Sequence, residues 1–161
     1  MTHNVVEKGG LGPWHTENFD DLSWHDVHIH GFRLDKFSSE MGASDLVLDI
    51  DYILRWEKAG GQFLFTICQA ELRFHQVVDL KFSLDYTTSS MGMGPFSLAG
   101  IEREQLDNSY GHPSFHWQMT INCPAGYLEF DAPRFTQMLV GTPIVQAEQL
   151  ISAEKRAISK I

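Results

Sequence analysis

The amino-acid sequence predicts a mainly β protein, an antiparallel β-sandwich or partly closed barrel of about seven or eight strands with one C-terminal helix. The first observation is an alternation over 45–56 between apolar residues and mostly charged ones, with Val47 and Ile53 as exceptions on the charged face. The second is the same alternation at 78–86 and at 115–121. The third is composition, because 43% hydrophobic and 12% aromatic residues in 161 suit one domain with a β-rich core.

The stretch 45–56 predicts a long strand with two different faces. Leu46, Leu48, Ile50, Tyr52, Leu54 and Trp56 fall on one face. Asp45, Asp49 and Asp51 fall on the other. Side chains on a strand alternate between faces, so we expect one apolar face and one solvated, acidic face.

The residues before this strand predict an N-terminal arm and a first strand. Residues 1–22 contain Gly9-Gly10 and Gly12-Pro13 without sustained periodicity, so we interpret them as an arm preceding a single domain at 23–161. The first strand, 24–35, loses its phase after Ile29. A β-bulge at His30-Gly31 would return Phe32 to the apolar face.

The residues after the central strand predict further hairpins and then a helix. Strand-like segments occur at 62–68, 70–75, 78–86, 96–104, 115–121 and 127–130. Thr142 and Pro143 have the residue types of a helix N-cap and first turn. A helical stripe follows, interrupted by one acid, at Ala147, Leu150, Ile151, Glu154, Ala157, Ile158 and Ile161.

Charge and cysteine content restrict the classes of partner. The formal net charge of −9 repels phosphate backbones, so we expect no nucleic-acid partner and favour a basic protein or a cation. No stretch has the apolar length of a membrane span, and none resembles a signal peptide. Cys68 and Cys123 form no metal or redox motif. They could form one disulfide, but two buried thiols in a reducing cytoplasm are the simpler interpretation.

Several short segments resemble a group of small bacterial single-domain β proteins of uncharacterised function. The resemblance covers residues 19 to about 143 and is carried by Trp24-His25-Asp26, Ile29-His30-Gly31, the run 49–56, Val78-Asp79-Leu80, 100–104 and Phe135-Thr136-Gln137. Some similar groups are regarded as toxin-immunity proteins. The resemblance therefore implies partner binding, without implying any particular site residue.

The acidic face of the central strand is the first candidate site. Asp45, Asp49 and Asp51 could contact a basic partner, or one of them could act as an acid or base if its pKa were raised. They could instead pair with Arg33, Arg73 or Lys81 across neighbouring strands.

The histidines of the first strand are the second candidate site. His28 and His30 are two residues apart, so both rings would leave one face, with Asp35 as a third metal ligand. The pattern resembles the first cupin motif, with departures. Leu22 stands where cupins have Gly, Asp35 replaces Glu, and Thr120 stands where the second motif has Asn after His116. A polar sheet face without metal is the simpler interpretation.

The leading functional hypothesis is therefore a non-enzymatic binding module, immunity-like, that uses an acidic sheet face. One alternative is a metal-dependent, cupin-like enzyme using His28 and His30. Another is a structural homo-oligomer, most simply a dimer formed through free sheet edges. No activated nucleophile or phosphate-binding glycine loop is present, and no motif indicates a cofactor.

Overall fold

A computed structural model describes residues 10–87, 92–107 and 113–157. Nine strands occur in this part of the chain: β1 Trp14–His15, β2 His28–Ser38, β3 Ala43–Ala59, β4 Gln62–Leu84, β5 Phe96–Leu106, β6 Ser114–Cys123, β7 Gly126–Ala132, β8 Arg134–Leu139 and β9 Ile144–Gln146. Two 3-10 turns cover Thr16–Asp21 and Ala153–Lys155. The prediction of a mainly β, antiparallel fold is confirmed.

The strands form one antiparallel sheet in the order β1-β8-β4-β3-β2-β5-β6-β7, with β9 paired to β4. β7 also returns to pair with the end of β4. Six strands, β4, β3, β2, β5, β6 and β7, therefore surround the core in a partial ring that is not a closed barrel. The ring is weakest between β2 and β5, which pair only at His28–Ser97 and Ile29–Phe96.

β4 changes direction twice, and this allows one strand to pair with four others. Gln76 and Asp79 have positive φ angles of 55° and 56°. The pairing of β4 with β3 shifts register near Gln76, between Phe74 and Val77. The pairing of β4 with β7 shifts register near Asp79, between Val78 and Lys81. Such bulges bend a strand and re-aim its side chains. The strand-like segments predicted at 62–68, 70–75 and 78–86 consequently lie in one long strand, which ends at Leu84.

The core lies inside the partial ring and is rich in aromatic residues. Leu46, Leu48, Ile50, Tyr52 and Leu54 all belong to it, as the alternation of β3 predicts. The ring of Phe74 lies 5.0 Å from that of Trp117 and 4.8 Å from that of Phe130. Burial of large aromatic side chains provides much of the stabilisation of such an interior.

The segment 14–22 is packed into this body. Trp14 is buried and pairs with Gln137 of β8. Phe19 of the first 3-10 turn contacts the rings of Trp24 and Trp117. Residues 1–9 of the predicted arm lie outside the described part of the chain.

The prediction of a C-terminal helix is wrong. Residues 144–146 form β9, and only Ala153–Lys155 make a single 3-10 turn. The backbone N–H of Ile151 donates to Asp51, and that of Ala157 donates to the side chain of Gln69. These tertiary hydrogen bonds replace the internal hydrogen bonds of a helix, so the apolar stripe does not decide the local structure. Ile158 and Ile161 lie outside the described residues.

Candidate functional site

The polar side of β2, β3 and β4, here called the outer face, carries the carboxylates predicted from β3. Asp45, Asp49 and Asp51 lie opposite the core-facing Leu48 and Ile50, so the two-faced character of β3 is confirmed. The expected solvation of the acidic face is wrong for two of them. Asp45 is 6% exposed and Asp51 is fully buried. Both therefore need internal partners, because an unpaired buried charge is strongly unfavourable.

Arg73 of β4 is the internal partner of Asp45. Its Nη1 lies 2.9 Å from Asp45 Oδ2 and 3.0 Å from Asp35 Oδ2. Its Nη2 lies 3.1 Å from Glu71 Oε1. One largely buried guanidinium thus binds three carboxylates, and such a network contributes more than a solvent-exposed ion pair.

The pKa values of the two aspartates around Arg73 follow from these contacts. Burial alone would raise the pKa of Asp45, but the N–H of Gln76 and the Arg73 guanidinium outweigh it, so this pKa is lowered. The hydrogen bond from Arg73 is the main cause of the lowered pKa of Asp35. Both side chains therefore remain ionised at neutral pH, which does not suit a proton-transfer role.

Arg156 is the internal partner of Asp49 and Asp51. Its Nη2 pairs with Asp49 Oδ1, and its Nη1 pairs with Asp51 Oδ1. The Arg156 side chain is 8% exposed, compared with 0% for Asp51 and 25% for Asp49. The second half of the predicted acidic face is therefore closed by a cation from the same chain.

The segment 144–157, here called the closing segment, brings Arg156 to this position. β9 pairs with β4 at Phe65–Ile67, and the buried Ile151 donates its N–H to Asp51 Oδ2 at 2.8 Å. Gln69 accepts the N–H of Ala157 at 2.8 Å and donates to Asp49 Oδ1 at 3.2 Å. The segment is held by a strand pairing and by side-chain hydrogen bonds.

The predicted metal ligands do not converge. His30 lies 2.7 Å from Asp51 Oδ2, whereas His28 lies 3.1 Å from the carbonyl of Gln149. Asp35 is farther along β2, paired with Asp45 and held by Arg73. Within ranges 10–87, 92–107 and 113–157, no group of three or more His, Cys, Asp or Glu side chains could hold a metal ion. The predicted β-bulge is present between Ile29 and Gly31.

Burial and the Arg156 charge lower the pKa of His30 to about 4. Desolvation is also the main cause of the lowered pKa of His28. His30 is therefore neutral at pH 7, and its Nε2–H donates to the Asp51 carboxylate. The negative charge of Asp49 raises the pKa of His30, but burial and the Arg156 charge outweigh it.

A second acidic surface lies on the outward side of β5, β6 and β7. We call it the β5–β7 face, and it is formed by Glu102, Glu104, His116, Gln118, Glu129 and Asp131. Glu102 and Glu129 both lie opposite Gln118, and Glu104 and Asp131 both lie opposite His116. Four carboxylates are thereby placed on β5 and β7, on the two sides of β6. The alternation of each strand suggests outward acids, but only the register brings them together.

The β5–β7 face has few internal cations. His116 Nδ1 lies 2.6 Å from Asp131 Oδ1, and this hydrogen bond is the main cause of the raised pKa of His116. Lys81 Nζ lies 3.8 Å from Glu129 Oε1 and is largely exposed. Glu102 and Glu104 are exposed and form no ion pair with any described residue. The carboxylates of this surface therefore have fewer cationic partners than those of the outer face, where Arg73 and Arg156 are largely buried among them.

The remaining candidate features add no chemistry. Cys68 is buried, which raises its thiol pKa, and it forms no disulfide with the half-buried Cys123. In the described part of the chain, no helix is long and apolar enough to cross a membrane. Comparisons with known protein families, with curated proteins and with solved structures gave no match.

Proposed function

We propose that this protein is a non-enzymatic binding module that recognises a basic partner protein through the β5–β7 face. The observation that carries the proposal is the array of Glu102 and Glu104 on β5 with Glu129 and Asp131 on β7, on the two strands that flank β6. The formal charge of −9 acts in the same direction, because it attracts a basic protein over a distance.

The location of the proposed site differs from the one expected on β3. Asp45, Asp49 and Asp51 are already paired with Arg73 and Arg156, so they have little free charge to offer a partner. We assign these three aspartates to stability and assign partner recognition to the β5–β7 face. Glu102 and Glu104 are central to the β5–β7 face, because a partner's Lys or Arg could bind them without displacing a cation of this chain.

The chemistry of the face also indicates the kind of partner. Exposed carboxylates steer association and give specificity, and their interactions weaken at high salt. We infer a partner with a Lys- or Arg-rich surface, and the resemblance to toxin-immunity proteins suggests a toxin encoded beside the gene. The unbridged Cys68 and Cys123 are compatible with action in the reducing cytoplasm.

The experiment is titration calorimetry of the purified protein against the basic protein encoded beside its gene. We expect binding at low salt that weakens as salt is raised. Charge reversal with Glu102→Lys/Glu104→Lys should weaken binding about tenfold or more, because like charges would face the partner. The matched control is Glu40→Lys/Glu154→Lys, which makes the same net-charge change at exposed positions away from this face.

The control distinguishes local recognition from overall charge. If both double variants weaken binding equally, only the net charge matters and the β5–β7 face is not the site. If neither weakens it, recognition lies on another surface. Circular dichroism of both variants checks that the sheet is intact.

A further inference from the structure

The free edge of β2 is the starting observation. β2 pairs with β3 along its length, from His28 to Ser38. On its other edge it pairs with β5 only at His28 and Ile29. Across the described ranges, residues 31–35 therefore have a strand on one side only. The N–H and C=O groups on the open side are available to another strand.

The side chains along this edge are unusually apolar for an exposed strand. Phe32 is 52% exposed, Leu34 60% and Phe37 71%. Soluble proteins usually protect such edges with charges or cover them, because they attract other strands. An edge this apolar is suited to contact with a further protein chain.

The alternation of charge on the same strand identifies the occupant. Phe32 and Leu34 lie on the core side of β2. Arg33 and Asp35, which alternate with them, lie on the outer face. When two copies pair antiparallel about a two-fold axis perpendicular to the sheet, each residue meets one on the same face. The axis must then pass midway between the two copies of one residue, so that this residue faces the same residue of the other chain.

Only one position of the axis gives a favourable pairing. An axis at Leu34 places Leu34 against Leu34 and Arg33 against Asp35, twice by symmetry. An axis at Arg33 or Asp35 would place like charges directly opposite, which is destabilising. An axis at Phe32 would place Arg33 against Gly31, so no ion pair would cross the junction.

We propose that two copies of this chain form a dimer by pairing their β2 edges antiparallel, centred on Leu34. The two sheets then continue into one another, and two Arg33–Asp35 ion pairs cross the junction. Asp35 can accept this contact while bound to Arg73, because a carboxylate has about four acceptor positions. Isologous pairing uses both free edges, so the assembly closes at two copies.

The dimer is independent of the proposed partner, because β2 does not belong to the β5–β7 face. Its first test is the mass of the protein in solution by analytical ultracentrifugation. We expect a dimer that dissociates on dilution. Arg33→Glu should raise the dissociation constant about tenfold or more, since Glu would face Asp35. Arg55→Glu makes the same charge change on β3 and should leave the constant unchanged.

The second test is a cross-link that reports the register. In a Cys123→Ser background, Leu34→Cys places one thiol per chain on the axis, within reach of its copy. Mild oxidation should give a covalent dimer, whereas Met138→Cys, of similar exposure at 55%, should not. A wild-type monomer at high concentration, equal effects of Arg33→Glu and Arg55→Glu, or equal cross-linking at 34 and 138 would each overturn the proposal.

Discussion

The guanidinium of Arg156 pairs with the carboxylate of Asp51, which is fully buried in the middle of β3. The two residues are far apart in sequence, and their pairing attaches the closing segment to the sheet. Removing two charges from water is costly, and their attraction repays the cost only when other hydrogen bonds complete the site. The N–H of Ile151 and the ring of His30 provide those bonds to Asp51.

Removal of one partner of this pair should strongly lower the stability of the fold. We expect Asp51→Asn to lower the free energy of unfolding by about 3 kcal/mol, because the buried guanidinium loses its fully buried counter-charge and keeps only the partly exposed Asp49. Asp49→Asn should cost less, since Asp49 is 25% exposed and Arg156 would keep Asp51. Urea denaturation measures both, and the exposed Glu154→Gln should stay within about 0.5 kcal/mol of wild type.

A double-mutant cycle tests the coupling directly. The double variant Arg156→Met/Asp51→Asn should lose less free energy of unfolding than the two single variants lose in sum. The reason is that the double variant contains neither the buried guanidinium nor the buried carboxylate. Strictly additive costs would show that the two side chains do not interact in solution.

The apolar side of β3 should show the cost of a cavity. Ile50 is fully buried against the core, so Ile50→Ala should lower the free energy of unfolding by about 2–5 kcal/mol. Val145→Ala is the control, because Val145 is 58% exposed and should change stability by less than about 0.5 kcal/mol. Similar losses in the two variants would contradict the assignment of Ile50 to the core.

Stability should fall in mild acid because of His30. Its pKa is about 4 in the folded protein, below the ordinary value of 6.5, so the unfolded chain binds the proton more readily. The free energy of unfolding is therefore highest above pH 6.5 and decreases as pH falls from about 6.5 to 4. The lowered pKa values of His28 and His75 act in the same direction.

Urea denaturation of wild type and His30→Gln across this pH range measures the contribution. Gln keeps a donor for Asp51 but does not titrate, so the variant should lose less stability between pH 6.5 and 4. His116 has a raised pKa, and its stabilising contribution is present at low pH and lost as pH rises through that value. An unchanged pH slope in His30→Gln would show that the proton uptake occurs elsewhere.

The return of β7 to β4 should depend on Gly126. A Cβ at this position would lie 2.2 Å from the carbonyl oxygen of Ser83, on the backbone of β4. Gly126→Ala should therefore separate the two strands and cost about 1–3 kcal/mol or more, because backbone cannot move aside as a side chain does. Gly100→Ala is the matched control in β5, since its Cβ meets nothing within 4 Å. Thermal denaturation should show a clearly lower midpoint for Gly126→Ala alone.

The sequence alone predicts the mainly β fold, the two faces of β3 and the bulge after Ile29. These features depend on local alternation, since every second residue of a strand faces the core regardless of which strand lies beside it. The same reasoning separates Ile50 from Asp49 and Asp51 on opposite faces. It also predicts a helix for the closing segment, because a stripe of apolar residues cannot show which backbone groups will find partners elsewhere.

Tertiary structure alone decides which carboxylates remain charged surface and which become buried partners. Asp51 and Glu102 are both acids within predicted strands, yet Arg156 pairs with the first and no described cation pairs with the second. The register of β5, β6 and β7 likewise brings Glu104 and Asp131 to opposite sides of His116. Burial and pairing depend on contacts between residues distant in the chain, and local periodicity carries no information about such contacts.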